Sequence, residues 1–302
     1  MDVTIVNVAL PSIQLDLHAG MGGLQWIVDA YTLVVASLLM LSGSLFDRFG
    51  RRRVFQLGLV LFTAGSLLCS LAHSTSQLVA FRALQGFGAS MLNPVALSII
   101  ANTFPNPKAR ARAIGICGAV AGVSLAIGPL LGGALTQGIG WRSIYWINLP
   151  IGLAAFTLAV IYIPESKSRQ ARAFDLGGQI LVFASLTALI YAVIEGPRVG
   201  WGSLSNLGIF VAAGALMAGF IFYEPQLKEP FVDLRFFHSV SFSSAILLAL
   251  CVFACFAAFL FLNALYLQQS RGFSAFHTGR YTLPLALAMM ISAPISGRFV
   301  GT

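Results

Sequence analysis

Three ionisable residues stand inside long apolar runs of this chain: Asp2, Asp29 and Arg82. A charge at the centre of a membrane helix costs at least about 2.5–3.5 kcal/mol, so its retention points to a task or a partner. A carboxylate whose access to water changes can take up a proton in one setting and release it in another. A guanidinium keeps its charge at every working pH and offers a planar fork of donors. Asp2, Asp29 and Arg82 are therefore the candidate proton-coupling groups. Arg82 also opens a stripe, because at helical spacing Arg82, Gln85 or Gly86, Ala89 and Asn93 share one face. That face is small and polar, which suits the interior of a helix bundle. Gln85, Gly86, Ala89 and Asn93 are the candidate lining of a path for a small molecule.

The residue types support no other chemistry. His18, His73, His238 and His277 sit in or beside different loops, no Ser/His/Asp set converges by position, and no phosphate-binding glycine loop follows a strand. Cys69, Cys117, Cys251 and Cys255 all fall in apolar runs, where they read as small packing residues. Cys251 and Cys255 share a helix face but have no His or carboxylate near them in that run, so no metal site is expected. The chain is expected not to be an enzyme and to use no cofactor.

The elements that must position these residues follow from composition. The chain is 58% hydrophobic and 9% charged, with a mean hydropathy of +0.86, against about 25% charged residues in a soluble domain. This predicts an all-α polytopic membrane protein, since a spanning segment must satisfy its own backbone hydrogen bonds and no barrel alternation is present. The lipid bilayer is then its first partner. The net charge of +8 is scattered in small groups between apolar runs, so no nucleic-acid face is expected. No oligomeric state can be read from the sequence.

Ten spans are predicted, at 1–15, 24–46, 54–72, 77–103, 112–137, 144–163, 176–195, 205–223, 241–267 and 279–300. One set of alternating loops holds thirteen cations: Arg48, Arg51, Arg52, Arg53, Lys108, Arg110, Arg112, Lys167, Arg169, Arg172, Lys228, Arg235 and Arg298. The other set holds four: Arg142, Arg198, Arg271 and Arg280. Basic loops stay on the inner side, so this bias predicts a cytoplasmic N-terminus in a plasma membrane. Trp26 then falls at the outer interface, where aromatic residues concentrate, and Asp29 lies about one turn deeper.

Two stretches carry recognisable spacing. The first is the turn Gly43-Ser-Leu-Phe-Asp47-Arg48-Phe-Gly50-Arg51-Arg52-Arg53, between the second and third runs. Gly50 allows a sharp reversal, and Asp47 is expected at a helix N-terminus, where the dipole favours an anion. The second is Gly118, Gly122, Gly128, Pro129, Gly132 and Gly133 in the fifth run. Gly118, Gly122, Ala126, Pro129 and Gly133 make one nearly bare helix face, fit for close approach of another helix, and Gly128-Pro129 permits a bend.

The Gly43–Arg52 turn resembles the signature loop between spans two and three of the major facilitator superfamily; Phe46 departs from the small residue usual there. Asp2-Val-Thr4-Ile-Val-Asn7-Val-Ala-Leu10-Pro11 resembles the opening of its fourteen-span drug:proton antiporters of the EmrB/QacA type. Arg82-Ala-Leu-Gln85-Gly86-Phe-Gly88 is similar to that family's fourth-span motif. The fifth-run glycines are similar to the antiporter motif of its exporters, and Trp141–Gly152 resembles its outer loop and sixth span.

The resemblance implies a major facilitator fold, with proton-coupled efflux of hydrophobic or cationic drug-like compounds by alternating access. Small-molecule substrate and protons would be its further partners. It implies a six-helix N-terminal half over 1–163, a cytoplasmic linker at 164–174, two extra central helices over 175–223, and the start of a C-terminal half at 224–302. The stretch Phe273–Gly279 followed by Pro294–Phe299 echoes the second span, as two related halves require. Fourteen spans exceed ten, so the chain reads as a C-terminally shortened member, expected to insert but not to transport by itself. Its first helix lacks opening turns, which would place Asp2 near the inner interface. The competing reading is a shortened, non-transporting membrane protein that at most binds a ligand.

The cation bias gives a direct expectation. Reporter fusions after Arg53, Arg112 and Arg172 read cytoplasmic, and those after Gly23, Ser74 and Gly202 read external. A reproducible cytoplasmic signal at Ser74 would break the predicted register of spans.

Overall fold

The computed structural model describes residues 2–166, 175–227 and 234–300. The principal helices are α1 (Asp2–Leu17), α2 (Met21–Phe49), α3 (Arg51–Ser70), α4 (Thr75–Thr103), α5 (Pro107–Gly138), α6 (Ser143–Trp146), α7 (Asn148–Tyr162), α8 (Leu176–Val199), α9 (Leu204–Tyr223), α10 (Val240–Leu265) and α11 (Ala275–Val300). There is no strand among the described residues. Each of the ten predicted spans coincides with helix, the sixth being divided at Ile147 between α6 and α7. Among the described residues, eight helical segments are long and apolar enough to cross a membrane. At 16 residues α1 is shorter than these. The cationic linker residues Lys167, Arg169 and Arg172, with Lys228, lie outside the described residues, as do the side chains of the Pro294–Phe299 echo.

The charged turn is shorter than the sequence suggests. Helix α2 continues to Phe49 and α3 begins at Arg51, leaving Gly50 alone between them with φ +102°. Arginine and leucine are good helix formers, so the helices run on until the one residue that tolerates this conformation. Asp47 consequently falls in the last turn of α2, not at a helix N-terminus. Its charge is balanced by Arg51, 3.9 Å away at i+4. The carboxylate at the N-terminus of α3 is that of Glu165: its Oε1 accepts from the Arg52 backbone N–H at 3.2 Å.

Helices α3 and α4 approach each other closely. A Cβ on Gly58 would lie 2.9 Å from that of Met91, and one on Gly65 would lie 2.8 Å from the backbone of Gln85. Helix α2 packs on the neighbouring face of α4, where a Cβ on Gly86 would meet the Tyr31 carbonyl at 2.7 Å. Helix α7 lies against α3, α8 against α2, and α9 against α8. Association in lipid depends on such small-residue contacts, because apolar area alone gains little there. Outward side chains remain apolar: Val211 is 72% exposed, Leu248 67% and Phe253 68%.

One end of the bundle, bearing Trp141, is closed by polar contacts as well as packing. The Asp16 carboxylate accepts from Arg142 at 2.7 Å and from the Trp141 indole at 3.0 Å, while Arg142 also reaches the Ala72 carbonyl at 3.0 Å. The Arg142 bond, then the Trp141 bond, holds the Asp16 carboxyl below its ordinary value. A depressed carboxylate stabilises the fold above its unfolded pKa, and that contribution is lost as pH falls through the folded pKa. The junction is therefore intact at neutral pH and loosens only in acid. Gln268, in a π-turn over Tyr266–Ser270, donates to the Val8 carbonyl at 2.8 Å. Core residues Ile5, Leu10, Ile13, Leu24, Ile27, Leu78 and Ile144 pack between these contacts and the bundle centre.

Two glycines separate packing from propensity. Gly65→Ala forces a Cβ into the α4 backbone and is expected to lower stability by about 1–3 kcal/mol. A Cβ on Gly118 meets nothing within 4 Å, so Gly118→Ala is expected to be neutral or to stabilise by up to about 1 kcal/mol. Thermal unfolding of both variants in one detergent checks this; equal destabilisation would contradict the α3–α4 contact.

Candidate functional site

The fold brings Asp2 and Arg82 together. Arg82 is 1% exposed and Asp2 9%. Arg82 NH1 donates to Asp2 Oδ2 at 2.6 Å and to Gln85 Oε1 at 2.7 Å, and its Nε donates to the Ile27 carbonyl at 3.1 Å. The guanidinium lies over the Tyr31 ring, 4.2 Å from its centroid. Asp2 Oδ1 accepts from Gln85 Nε2 at 3.0 Å and from Asn148 Nδ2 at 3.1 Å. Both amides also donate to Ser66 Oγ, at 3.0 and 2.8 Å.

Each position follows from local structure. Arg82 and Gln85 are one turn apart on α4, so their heads meet. The α3–α4 glycine contact brings Ser66 within reach of Gln85. The break at Ile147 starts α7 at Asn148, whose side chain is then free to point inward. Asp2, in the first turn of α1, completes the cluster. It is buried between α3, α4 and α7, not at the inner interface expected from a shortened first helix.

A buried ion pair is a delicate arrangement. Both ions lose hydration, and the geometry must return it through hydrogen bonds to the remaining lone pairs and protons. Here Asp2 Oδ1 takes two amides, Oδ2 takes the guanidinium, and Arg82 makes its other contacts with Gln85 Oε1, the Ile27 carbonyl and the Tyr31 ring. Asp2 is the single carboxylate in the group.

The remaining candidates are placed as follows. Asp29 is not in the cluster. Along α2, Gly22 approaches Ile194, the Trp26 ring stands 6.2 Å from Tyr191, and the Ser37 carbonyl accepts from Gln179. Asp29 falls on that same α8-facing stripe, half-buried, with no side-chain hydrogen bond or ion pair among the described residues. Gly86 meets α2 and Ala89 is buried, whereas Asn93 is exposed.

A Cβ on Gly43 would meet nothing nearer than the Phe46 ring, at 4.0 Å. Arg51 and Arg52 bind the chain after α7: Arg51 N–H donates to the Ser166 carbonyl at 2.9 Å, and the Arg52 guanidinium to the Ile163 carbonyl at 3.3 Å. Arg48 lies in the last turn of α2, where a cation is favoured.

The fifth-run stripe splits in two. Gly128, Pro129, Gly132 and Gly133 are buried; Gly132 meets Ile5 of α1, while Gly133 and Pro129 meet α11 at Ala275 and Gly279. Gly118 is exposed and Gly122 half-buried.

The sequence alone did not single out Ser66, Asn148 or Tyr31 as members of the site. Ser66 follows a glycine on the small face of α3, and Asn148 is an amide in an apolar run. Those are the available signals, and neither specifies a partner.

Comparison with known proteins fits this geometry. The sequence profile of the Major Facilitator Superfamily matches residues 1–302. Multidrug resistance protein Stp of Mycobacterium tuberculosis is 40% identical over 301 residues, covering 100% of this chain and 56% of that protein. The tetracenomycin C resistance and export protein of Streptomyces glaucescens is 38% identical, over 98% of this chain and 55% of that protein. The methylenomycin A resistance protein of Streptomyces coelicolor is 37% identical, over 99% and 64%. The chain spans about half the length of the first two of these relatives. The crystal structure of the human organic anion transporter MFSD10 (TETRAN) superposes with a TM-score of 0.53 at 15% identity, covering 96% of this chain and 67% of that one; it shares the fold. The chain belongs to the Major Facilitator Superfamily.

Proposed function

We propose that this chain forms the first ten spans of a fourteen-span, proton-coupled exporter of hydrophobic or cationic compounds, working by alternating access in a bacterial cytoplasmic membrane with its N-terminus inside. The observation that carries this reading is the buried Asp2–Arg82 pair with its amide and hydroxyl shell. A carboxylate that exchanges a proton in such a place changes the local charge by one unit, enough to favour one packing of the surrounding helices over another. The relatives' names, all of resistance or export proteins, support the substrate class and the direction.

In this reading Asp2 carries the proton and Arg82 holds the positive charge that tunes its release. Gln85, Ser66 and Asn148 hold the carboxylate. Gln85, Gly86, Ala89 and Asn93 line the substrate path. The Gly43–Arg51 turn and the α5 glycines let helices α2 and α5 shift against their neighbours. Asp29 is a second ionisable group on the α8-facing side of α2.

The test is uptake of a lipophilic cation into proteoliposomes under an imposed pH gradient. It is run on the 302-residue chain and on the same chain completed with the C-terminal segment of the Stp relative. The completed protein is expected to transport and the shorter chain to insert without transporting. Asp2→Asn and Arg82→Ala are expected to reduce pH-driven flux by about a hundredfold or more, the scale of a positioned proton carrier. Arg82→Lys recovers only part of it, because an ammonium cannot reproduce the guanidinium fork. Asp29→Asn has a smaller effect. Undiminished pH-driven flux in Asp2→Asn would overturn the assignment.

A further inference from the structure

Away from the ion pair, the described residues enclose a groove of about 900 Å³ at the Trp141 end, between the first turns of α2 and α4 and the last turn of α8. Its size falls in the range of sites that take drug-sized molecules, about 300–1,000 Å³. Gly20, Gly22 and Gly23 line it, together with Val79, Ala80 and Ile194. None of its residues belongs to the Arg82 cluster.

We propose that this groove binds one zwitterionic phospholipid, with its headgroup on α8 and its first acyl carbons against α2 and α4. The charge pattern selects that occupant. Arg198 Nε lies 2.5 Å from Glu195 Oε2, so both signs of charge sit side by side on one helical turn. The Arg198 side chain is 74% exposed and that of Glu195 19% exposed, so the guanidinium faces outward at the rim and the carboxylate inward. A simple cation would meet Arg198 at the rim, and a simple anion would meet Glu195 inside. A phosphate with an adjoining ammonium satisfies both.

The aromatic residues reinforce this. The Trp26 and Tyr191 rings line the groove, 6.2 Å apart and inclined at 51°, and an ammonium is attracted to an aromatic face. Trp and Tyr concentrate at headgroup depth, where one end of each ring is apolar and the other wet. Their presence near the helix ends sets the groove at that depth. Helix α8 packs on α2 and α9, so a lipid seated here also fills the space between α8 and α4.

The experiment is native mass spectrometry of the purified 302-residue chain, with phosphatidylethanolamine and phosphatidylglycerol of identical acyl chains added at equal concentration. The expected result is one tightly held phosphatidylethanolamine, retained about tenfold over phosphatidylglycerol, the scale of one charge-assisted contact. Arg198→Gln, at an exposed position that leaves folding intact, is expected to lower retention about tenfold; Trp26→Leu is expected to weaken it independently. Equal retention of the two lipids, or retention unchanged in Arg198→Gln, would overturn the proposal. So would displacement of the lipid by tetraphenylphosphonium in a manner abolished by Glu195→Gln, which would make the groove a cation site.

Discussion

A guanidinium with almost no solvent contact sets the terms for this bundle. Arg82 cannot discard its charge, so the helices around it must supply counter-charge and acceptors. They come from three helices: Asp2 on α1, the Ile27 carbonyl and Tyr31 ring on α2, and Gln85 on α4 itself; Asn148 of α7 donates to the carboxylate, and Ser66 of α3 accepts from both amides. Five helices meet at one ionic centre. Each bond there costs the entropy of ordering a side chain and returns more than it would in water, because the surroundings are apolar.

Close helix approach is the condition for that centre. Gln85 reaches Ser66 because Gly65 lets the α4 backbone come against α3, and Gly86 does the same for α2 on the other face. Beyond the cluster, contacts are concentrated at the Trp141 end, where α1, α5 and α11 meet through Gly132, Gly133 and Gly279. At the opposite end α5 presents Ile114, Ile116 and Val120 outward. There the chain after α7 folds back to cap α3 through Glu165. The two ends are thus held differently, by packing glycines and the Asp16–Arg142 pair at one and by the Glu165 cap at the other.

Much of this was legible in the sequence because the bilayer restricts the menu. Ten apolar runs could only be helices, and an Arg in the fourth had to face inward. The Asp2–Arg82 pairing was not legible, since 80 residues separate the partners and spacing within a helix says nothing of its neighbours. Asn148 was hidden for the same reason: its role depends on the break at Ile147. The Asp47 assignment failed because helix-forming arginines carried α2 through the turn to Gly50. The fifth-run stripe was read as one face; among the described residues its close contacts are those of Gly132 with Ile5 and of Gly133 and Pro129 with α11.

The central claim is that Asp2 and Arg82 act as one ionic unit at the heart of the bundle. A double-mutant cycle on thermal stability tests it most directly, using Asp2→Asn, Arg82→Gln and the combined variant in one detergent. Removing one partner strands the other as an uncompensated buried charge or an unpaired acceptor, at a cost of about 3–5 kcal/mol. Removing both leaves neutral amides and hydroxyls able to bond one another. The account predicts that the double variant is no less stable than the worse single variant, with a coupling of at least about 1 kcal/mol. Two single losses that simply add would contradict it.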